Sequence, residues 1–170
     1  ILPKIRRLPE VKSASATLYT MVQVPGAPFF IVYGYEPDQP GIRHFKIVEG
    51  QGLHEQRRQR RGRPILLGNV AANKLKKELG DTVQMEGLTF RVVGIYETGV
   101  ALEDSGGVVT LEDAQLLADL PNQIMFIGLQ LHHPQRAQEF ERRLGRMLPR
   151  DVEIAGTEVG SMMRDMLELM

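Results

Sequence analysis

Residues 82–96 read TVQMEGLTFRVVGIY, two runs with many β-branched and aromatic residues on either side of Glu86-Gly87. Such runs favour β-strands, and glycine accepts the positive φ that a tight hairpin turn requires. The stretch therefore predicts an antiparallel hairpin of 82–85 with 88–96.

Short strands with frequent glycines surround this hairpin, at 45–48 and 64–67. One helix is predicted among them, from an Asn69 cap to a stop at Gly80. Its apolar residues recur at helical spacing and are Ala71, Ala72, Leu75 and Leu79. This part of the chain is therefore predicted to be mostly β, with a single helix.

The region before it predicts a second hairpin. Over 13–24, small and apolar residues occupy the even positions, which is typical of a half-buried strand. Pro25-Gly26 ends that strand, and a β-branched and aromatic run at 29–35 predicts the next one.

After Gly107 the pattern alternates strand with helix. Thr110 and Asp113 have the spacing of a capping pattern ahead of an apolar run, and Pro134 opens the clearest amphipathic helix. A short strand is predicted at 152–154. A last apolar helical stripe follows, and its residues are Met162, Met163, Met166, Leu167 and Met170.

These elements predict an α+β fold with two subdomains. Residues 1–40 and 108–170 are expected to form a mixed α/β subdomain of βαβ type from both ends of the chain. Residues 41–107 are expected to form a mostly β subdomain inserted between them.

Composition excludes several classes of protein. Basic and acidic side chains balance at 21 each, so the whole chain projects no strong field towards nucleic acid, anionic lipid or an acidic substrate. The lack of cysteine excludes disulfides, thiolate metal sites and cysteine nucleophiles. No stretch approaches the roughly 20 apolar residues of a membrane span, and no signal peptide precedes the first folded segment. Because the chain opens at Ile1 without methionine and stops at Met170 in an apolar run, we expect both ends to be points of excision.

Catalytic motifs are weak. Asp104-Ser105-Gly106-Gly107 has the composition of the nucleophile loop of trypsin-like proteases, where glycine amides form an oxyanion hole. No histidine stands in a recognisable catalytic setting, so a turn is the preferred interpretation and a Ser105 hydrolase the remote alternative. No G-x-x-x-x-G-K-[ST] loop occurs, which excludes a P-loop ATPase. We predict no catalytic residue in this chain.

No metal or cofactor is predicted either. His132 and His133 are adjacent on an extended segment, so their side chains point to opposite faces and do not readily chelate one ion. Gly50-Gln51-Gly52 lacks the third glycine and the long helix of a dinucleotide fingerprint.

The most unusual local feature is a basic run with five positive charges in seven residues: Arg57, Arg58, Arg60, Arg61 and Arg63. Such a run can neutralise phosphates or anionic head groups. Because no aromatic residues alternate with the arginines and no recognition helix adjoins them, we predict no nucleic-acid partner. A solvated basic loop is the default interpretation, and contact with an anionic partner is the second.

A series of short motifs runs in order along nearly the whole chain. The strongest is FRVVGIYETG at 90–99, and the others lie at 8–15, 32–37, 47–51, 65–71, 79–83 and 108–117. This series resembles the periplasmic core domain of MacB/FtsX-like ABC transporter permeases. Gln51 stands where the family often has arginine, and the basic run occupies a loop that is variable in the family. These departures concern the ligand and leave the fold intact.

The resemblance implies a domain inserted between two membrane helices, one before Ile1 and one after Met170. It implies three partners: a cytoplasmic ABC ATPase, a second permease subunit, and an extracytoplasmic adaptor or substrate protein. It places the full protein in the cell (inner) membrane, with this domain facing the periplasm or extracellular space. It also implies a porter-like α/β subdomain and an inserted sabre-like subdomain, in agreement with the division near residues 41 and 107.

The predicted function is mechanical and non-catalytic. ATP-driven motion of the membrane helices would be transmitted to a substrate or partner outside the membrane, for efflux, extraction of lipoprotein or lipid, or control of a cell-wall partner. The alternative is a stand-alone binding module that uses the basic run on an anionic lipid or polymer. The candidate joints to membrane helices are Ile1, Leu2, Ile5, Met163, Met166, Leu167 and Met170.

Overall fold

The structure, a computed structural model, describes residues 1–53 and 62–155. The strands in this part are β1 (Val11–Val24), β2 (Ala27–Tyr35), β3 (Lys46–Gly50), β4 (Arg63–Gly68), β5 (Thr82–Met85), β6 (Leu88–Glu97), β7 (Gly107–Thr110) and β8 (Phe126–Leu131). The helices are α1 (Leu2–Arg6), α2 (Asn69–Leu75), α3 (Ala101–Asp104), α4 (Leu111–Leu117) and α5 (Ala137–Met147). Short 3₁₀ turns lie at Pro40–His44 and Pro134–Arg136.

The strands form one open, mixed sheet. Its order is β3-β6-β4-β7-β2-β1-β8, and β5 pairs with β6 beside this path. The pairs β2–β7 and β4–β6 are parallel, whereas β1–β2, β3–β6, β4–β7 and β5–β6 are antiparallel. Mixed pairing together with helices confirms the predicted α+β class.

Both predicted hairpins are present. Glu86 and Gly87 adopt φ values of 48° and 76°, the doubly positive pair of a tight turn, and Met85 faces Leu88 across it. The β1–β2 hairpin turns through Pro25-Gly26, where Gly26 has φ of 90°.

The chain divides into two compact units. We call Ile1–Ala14 with Leu129–Met170 the terminal unit, and Ser15–Gly128 the central unit. The described part of the terminal unit ends at residue 155. The subdomain division near residues 41 and 107 stays a prediction.

The central unit is built around a continuous apolar core. Along β1 the even residues Leu18, Val22 and Val24 are buried while Tyr19 and Met21 are exposed, so the predicted alternation is confirmed. Burying one such large apolar side chain stabilises a fold by roughly 2 kcal/mol. The largest fully buried members of this core are Phe30, Phe90, Leu18, Ile65, Leu67 and Met85.

The helix at 69–75 is shorter than predicted. Gly68 holds the N-cap position, and the helix ends where Lys76 turns left-handed (φ 52°, ψ 48°), well before Gly80. Leu79 was therefore wrongly placed on the helix, and it is 39% exposed. Gly68 is needed because a Cβ there would lie 2.0 Å from the carbonyl oxygen of Asp104.

Predictions for the last third of the chain had mixed outcomes. The Thr110 cap is confirmed, because its hydroxyl accepts a hydrogen bond from the Asp113 amide at 3.2 Å. The amphipathic helix after Pro134 is also confirmed. The strand predicted at 152–154 is wrong: the Val152 amide bonds back to the Pro149 carbonyl at 3.2 Å, which makes a turn. The predicted helix at 162–170 lies outside the described residues.

Candidate functional site

Two helices of the terminal unit, α1 and α5, line an open apolar cavity of about 160 Å³. Ile5 from α1 and Leu144 from α5 are each 4% exposed, so they anchor the two helices. Proline at the start of α1 supplies the φ that a first helical turn needs. The lining residues are Ile1, Lys4, Ile5, Leu8, Leu144, Met147, Leu148 and Pro149.

Three of the predicted joints lie at this cavity or on α1. Ile1 lines the cavity and is 50% exposed, Leu2 is partly buried, and Ile5 is buried. Ile5 therefore holds α1 in place, and Ile1 is the predicted joint with the more exposed side chain. The other predicted joints, Met163, Met166, Leu167 and Met170, lie outside the described residues.

Polar contacts connect the first segment of the terminal unit to the last. Glu10 Oε1 forms an ion pair with the Arg143 guanidinium, and this hydrogen bond holds the pKa of the Glu10 carboxyl below its ordinary value. The same contact raises the pKa of Arg143. The Glu10 carbonyl also accepts from the His132 amide at 3.0 Å. Within the first segment, the Arg6 guanidinium donates twice to the Ala14 carbonyl, at 2.8 and 3.0 Å. The two ends of the described terminal unit are thus tied by side-chain and backbone contacts.

Of the basic run, the structure describes Arg63 alone. Arg63 Nη1 lies 2.5 Å from Oδ1 of Asp113, whose side chain is almost fully buried on α4. A buried carboxylate needs such a cation, so Arg63 balances a charge inside the central unit. Arg57, Arg58, Arg60 and Arg61 lie outside the described residues.

The loop that contains Ser105 is organised by a buried carboxylate. Asp104 accepts three hydrogen bonds, from the Thr98 amide at 2.7 Å, the Thr98 hydroxyl at 2.9 Å and the Gly99 amide at 3.1 Å. Ser105 Oγ donates to the Ala101 carbonyl at 2.7 Å, one helical turn back. The serine proton is therefore engaged with the backbone, as in the predicted turn.

An aromatic cluster lies against the same loop in the central unit. Phe45 contacts Tyr33, Tyr35 and Tyr96 with ring centroids 5.0 to 5.6 Å apart, and the Tyr96 hydroxyl donates to the Glu103 carbonyl at 2.5 Å. Burial, with the charge of Glu103 as a smaller cause, raises the pKa of the Tyr33 and Tyr96 phenols, so both phenols stay neutral.

His44 also lies beside this cluster. Its Nε2 is 2.8 Å from Glu103 Oε2. Within residues 1–53 and 62–155, no three histidine or acidic side chains converge in a way that would hold a metal ion.

The sequence did not reveal the cavity between α1 and α5 or the Glu10–Arg143 pair. The residues of α1 span only five positions, too few for a helical period to be recognised. The apolar stripe of α5 was recognisable in the sequence, and it was the one sequence feature that indicated a packing partner for this helix.

A comparison with solved structures finds domains of the same fold. The extracellular domain of the noncanonic ABC-type transporter YknZ from Gram-positive bacteria has a TM-score of 0.70 at 15% identity, over 86% of this chain and 79% of that chain. The periplasmic region of MacB from Actinobacillus actinomycetemcomitans has a TM-score of 0.61 at 15% identity, over 86% and 72%. A domain of a putative permease from Porphyromonas gingivalis has a TM-score of 0.54 at 13% identity, over 100% and 88%.

The fold is thus that of the extracytoplasmic domains of membrane transporters. The family model of the MacB-like periplasmic core domain matches residues 2–147, and the chain belongs to this family. This membership makes the chain a periplasmic-type domain of an ABC transporter permease and confirms the resemblance derived from its motifs. No curated protein matches the chain. Within the described residues, no helix has the length and apolar composition that crossing a bilayer requires.

Proposed function

We propose that this domain transmits ATP-driven motion of membrane helices to a substrate or partner outside the membrane, and that it makes and breaks no bond itself. The observation that carries the proposal is that residues 1–14 and the described residues 129–155 belong to one compact unit. If each end continues into a membrane helix, displacement of either helix acts on the same body.

The contacts of the terminal unit support this role. Two contacts join segments that are more than 130 residues apart in sequence. Ile5 and Leu144 together line the α1–α5 cavity, and Glu10 forms an ion pair with Arg143. Packed elements move as rigid bodies because close-packed interiors do not deform continuously. The joints to the membrane helices are then Ile1, Leu2 and Ile5 on one side, and on the other Met163, Met166, Leu167 and Met170.

The partners follow from this role. They are a cytoplasmic ABC ATPase, a second permease subunit, and an extracytoplasmic adaptor or substrate protein. The full protein would lie in the cell (inner) membrane, with this domain in the periplasm or extracellular space. Efflux, extraction of lipoprotein or lipid, and control of a cell-wall partner are the activities that such a transmission would serve.

The test uses the full-length permease assembled with its ATPase. A flexible Gly/Ser insertion between the membrane helix and Ile1, or directly after Met170, decouples the domain from the helices. We expect ATP hydrolysis to persist while transport or partner activation falls at least about tenfold, since flexible linkers do not transmit direction. The control is the same insertion between Glu86 and Gly87, an exposed turn where insertions are tolerated.

Unchanged transport in both linker variants would refute the proposal. A prior check is the parent reading frame, which must encode apolar spans directly before Ile1 and directly after Met170. A reading frame that begins and ends with this chain would remove the transporter role.

A second candidate function is a stand-alone module that binds an anionic lipid or polymer through the basic run. The matched variant changes Arg57, Arg58, Arg60 and Arg61 to alanine and keeps Arg63, because Arg63 balances the buried Asp113. Binding that persists in this variant, or that does not weaken with salt, would exclude this module.

The hydrolase alternative has a simple test. Ser105→Ala should leave any esterase or peptidase activity of the purified chain unchanged, because the Ser105 hydroxyl donates to a backbone carbonyl. A loss of activity in this variant would instead identify Ser105 as a nucleophile.

A further inference from the structure

One face of the hairpin formed by β1 and β2 has no charged side chain. Because side chains alternate between the two faces of a strand, the odd residues of 17–23 and 29–35 share the face opposite the core residues Leu18 and Phe30. These odd residues are threonine, glutamine, tyrosine, methionine, phenylalanine and isoleucine. The polarity of this uncharged face therefore depends on a few individual side chains.

Met21 lies within the uncharged face. It is 59% exposed, more than any other methionine that the structure describes. It stands opposite Ile31 across the β1–β2 ladder, and Tyr19 precedes it on the same face. Because β1 is not an edge strand, the Met21 side chain projects into solvent from the interior of the sheet.

A solvent-accessible thioether is the substrate of a two-electron oxidant. The sulfur loses two electrons and gains one oxygen atom, while hydrogen peroxide is reduced to water or hypochlorous acid to chloride with release of a proton. The thioether is apolar, whereas the sulfoxide that forms is polar and accepts hydrogen bonds. Methionine sulfoxide reductases reverse the change, so such a site can alternate between two polarities.

Met85 provides the contrast within the same unit. It is completely buried in the apolar core, so an oxidant reaches its side chain only when the central unit opens. A sulfoxide there would place a polar group among apolar side chains without a hydrogen-bond donor. The Met21 side chain needs no such opening, and water can hydrate its sulfoxide.

We propose that Met21 is a site of reversible oxidation by a peroxide or hypochlorous acid, and that its sulfoxide makes the uncharged face more polar while the central unit stays folded. This inference goes beyond the proposed function. It assigns a chemical modification to the central unit, whereas the proposed joints to membrane helices belong to the terminal unit.

The first experiment measures the rate of oxidation at each methionine. The folded 170-residue chain is treated with hydrogen peroxide or hypochlorous acid, and its peptides are mapped by mass spectrometry. Met21 should be oxidised at least about tenfold faster than Met85, because a buried side chain reacts only from an opened state. In concentrated urea the two rates should become similar. Similar rates in the folded chain, or no oxidation of Met21, would overturn the proposal.

The second experiment measures the polarity of the folded chain by hydrophobic interaction chromatography. Met125→Leu with Met147→Leu removes two other exposed methionines and serves as the background. Oxidation should shorten the retention of this background chain. The added change Met21→Leu keeps an apolar side chain without sulfur, so it should make the shift smaller. An equal shift with and without Met21 would overturn the proposal.

The same background chain tests whether the oxidised protein stays folded and whether the change is reversible. The urea midpoint should be unchanged by oxidation, and a lower midpoint that Met21→Leu restores would overturn the proposal. Reductases for both sulfoxide epimers should return Met21 to the thioether in the folded chain, and failure to do so would overturn its reversibility. These results are independent of the linker experiment, which measures transmission.

Discussion

The terminal unit and the central unit are stabilised in different ways. In the central unit, side chains such as Phe30, Ile65 and Phe90 are completely buried in one continuous core. In the terminal unit, Ile5 and Leu144 are buried beside an open cavity, and polar contacts add to the packing. Segments with few buried apolar contacts open at lower free energy than extensive cores. We therefore expect the terminal unit to unfold at a lower free energy than the central unit.

The largest effect is expected from Phe90→Ala in the central core. Removing a completely buried phenylalanine deletes its transfer free energy and leaves a cavity, so the free energy of unfolding should fall by about 3–5 kcal/mol. Urea unfolding measures it. Phe29→Ala, on the exposed face of β2, is the control and should stay within about 0.5 kcal/mol of the unchanged protein. Comparable losses from both changes would show that the core is not as packed as its burial indicates.

Leu144→Ala should have a smaller and more local effect. The free energy of opening α5 should fall by about 2–3 kcal/mol, at the low end for a buried leucine because the adjoining cavity lets the site relax. Hydrogen exchange should show lost protection in α1 and α5 with little change in β4 and β6. Met147→Ala, at a half-exposed side chain, is the matched control on α5. An equal loss of protection in β4 and β6 would mean that the two units unfold together.

Asp104→Ala should cost the central unit about 1–2 kcal/mol. The change removes the acceptor of three hydrogen bonds, although water can reach the freed Gly99 amide because that residue is exposed. Chemical denaturation measures the loss. Glu112→Ala, at an exposed acid on α4, is the control. An unchanged free energy of unfolding in Asp104→Ala would show that the conformation of the loop at 98–100 does not depend on this carboxylate.

Local sequence patterns were sufficient to predict much of the fold. The hairpin at 82–96 and the Thr110 cap depend on turn and capping chemistry within a few residues, so they could be predicted. The end of α2 could not be predicted, because Lys76 has no sequence signature of a left-handed residue whereas Gly80 has one. The order of the strands also depends on long-range pairings that no local pattern specifies.

The candidate site was predicted less well than the fold. The apolar stripe of α5 was visible, yet its partner α1 is too short to show a helical period. The ion pair of Glu10 with Arg143 joins residues that are distant in sequence, and the sequence around a charged residue does not indicate which residue it pairs with. The basic run was conspicuous, but the buried Asp113 that pairs with Arg63 is an ordinary first-turn acid in the sequence.

The smallest effect is expected from Glu10→Gln, and it depends on pH. The Arg143 guanidinium lowers the pKa of the Glu10 carboxyl below 4.5, so this group stabilises the folded state above its unfolded pKa. That stabilisation is lost as the pH falls through the lowered folded-state value. Glu10→Gln should therefore be slightly less stable than the unchanged protein at pH 7, and the difference should shrink below about pH 4.5 and vanish once the carboxyl is protonated.

The effect is small because the pair is partly exposed and Glu10 Oε2 has no hydrogen-bond donor within the described residues. Urea unfolding at pH 7 and pH 3, with and without added salt, measures it, and Glu49→Gln at an exposed position on β3 is the control. A difference that persists at pH 3 would contradict a charge effect, because Glu10 and its glutamine replacement have the same apolar stem and differ only in the terminal group. The ion pair with Arg143 would then add nothing measurable to the terminal unit, and apolar packing would be the main stabilisation of both units.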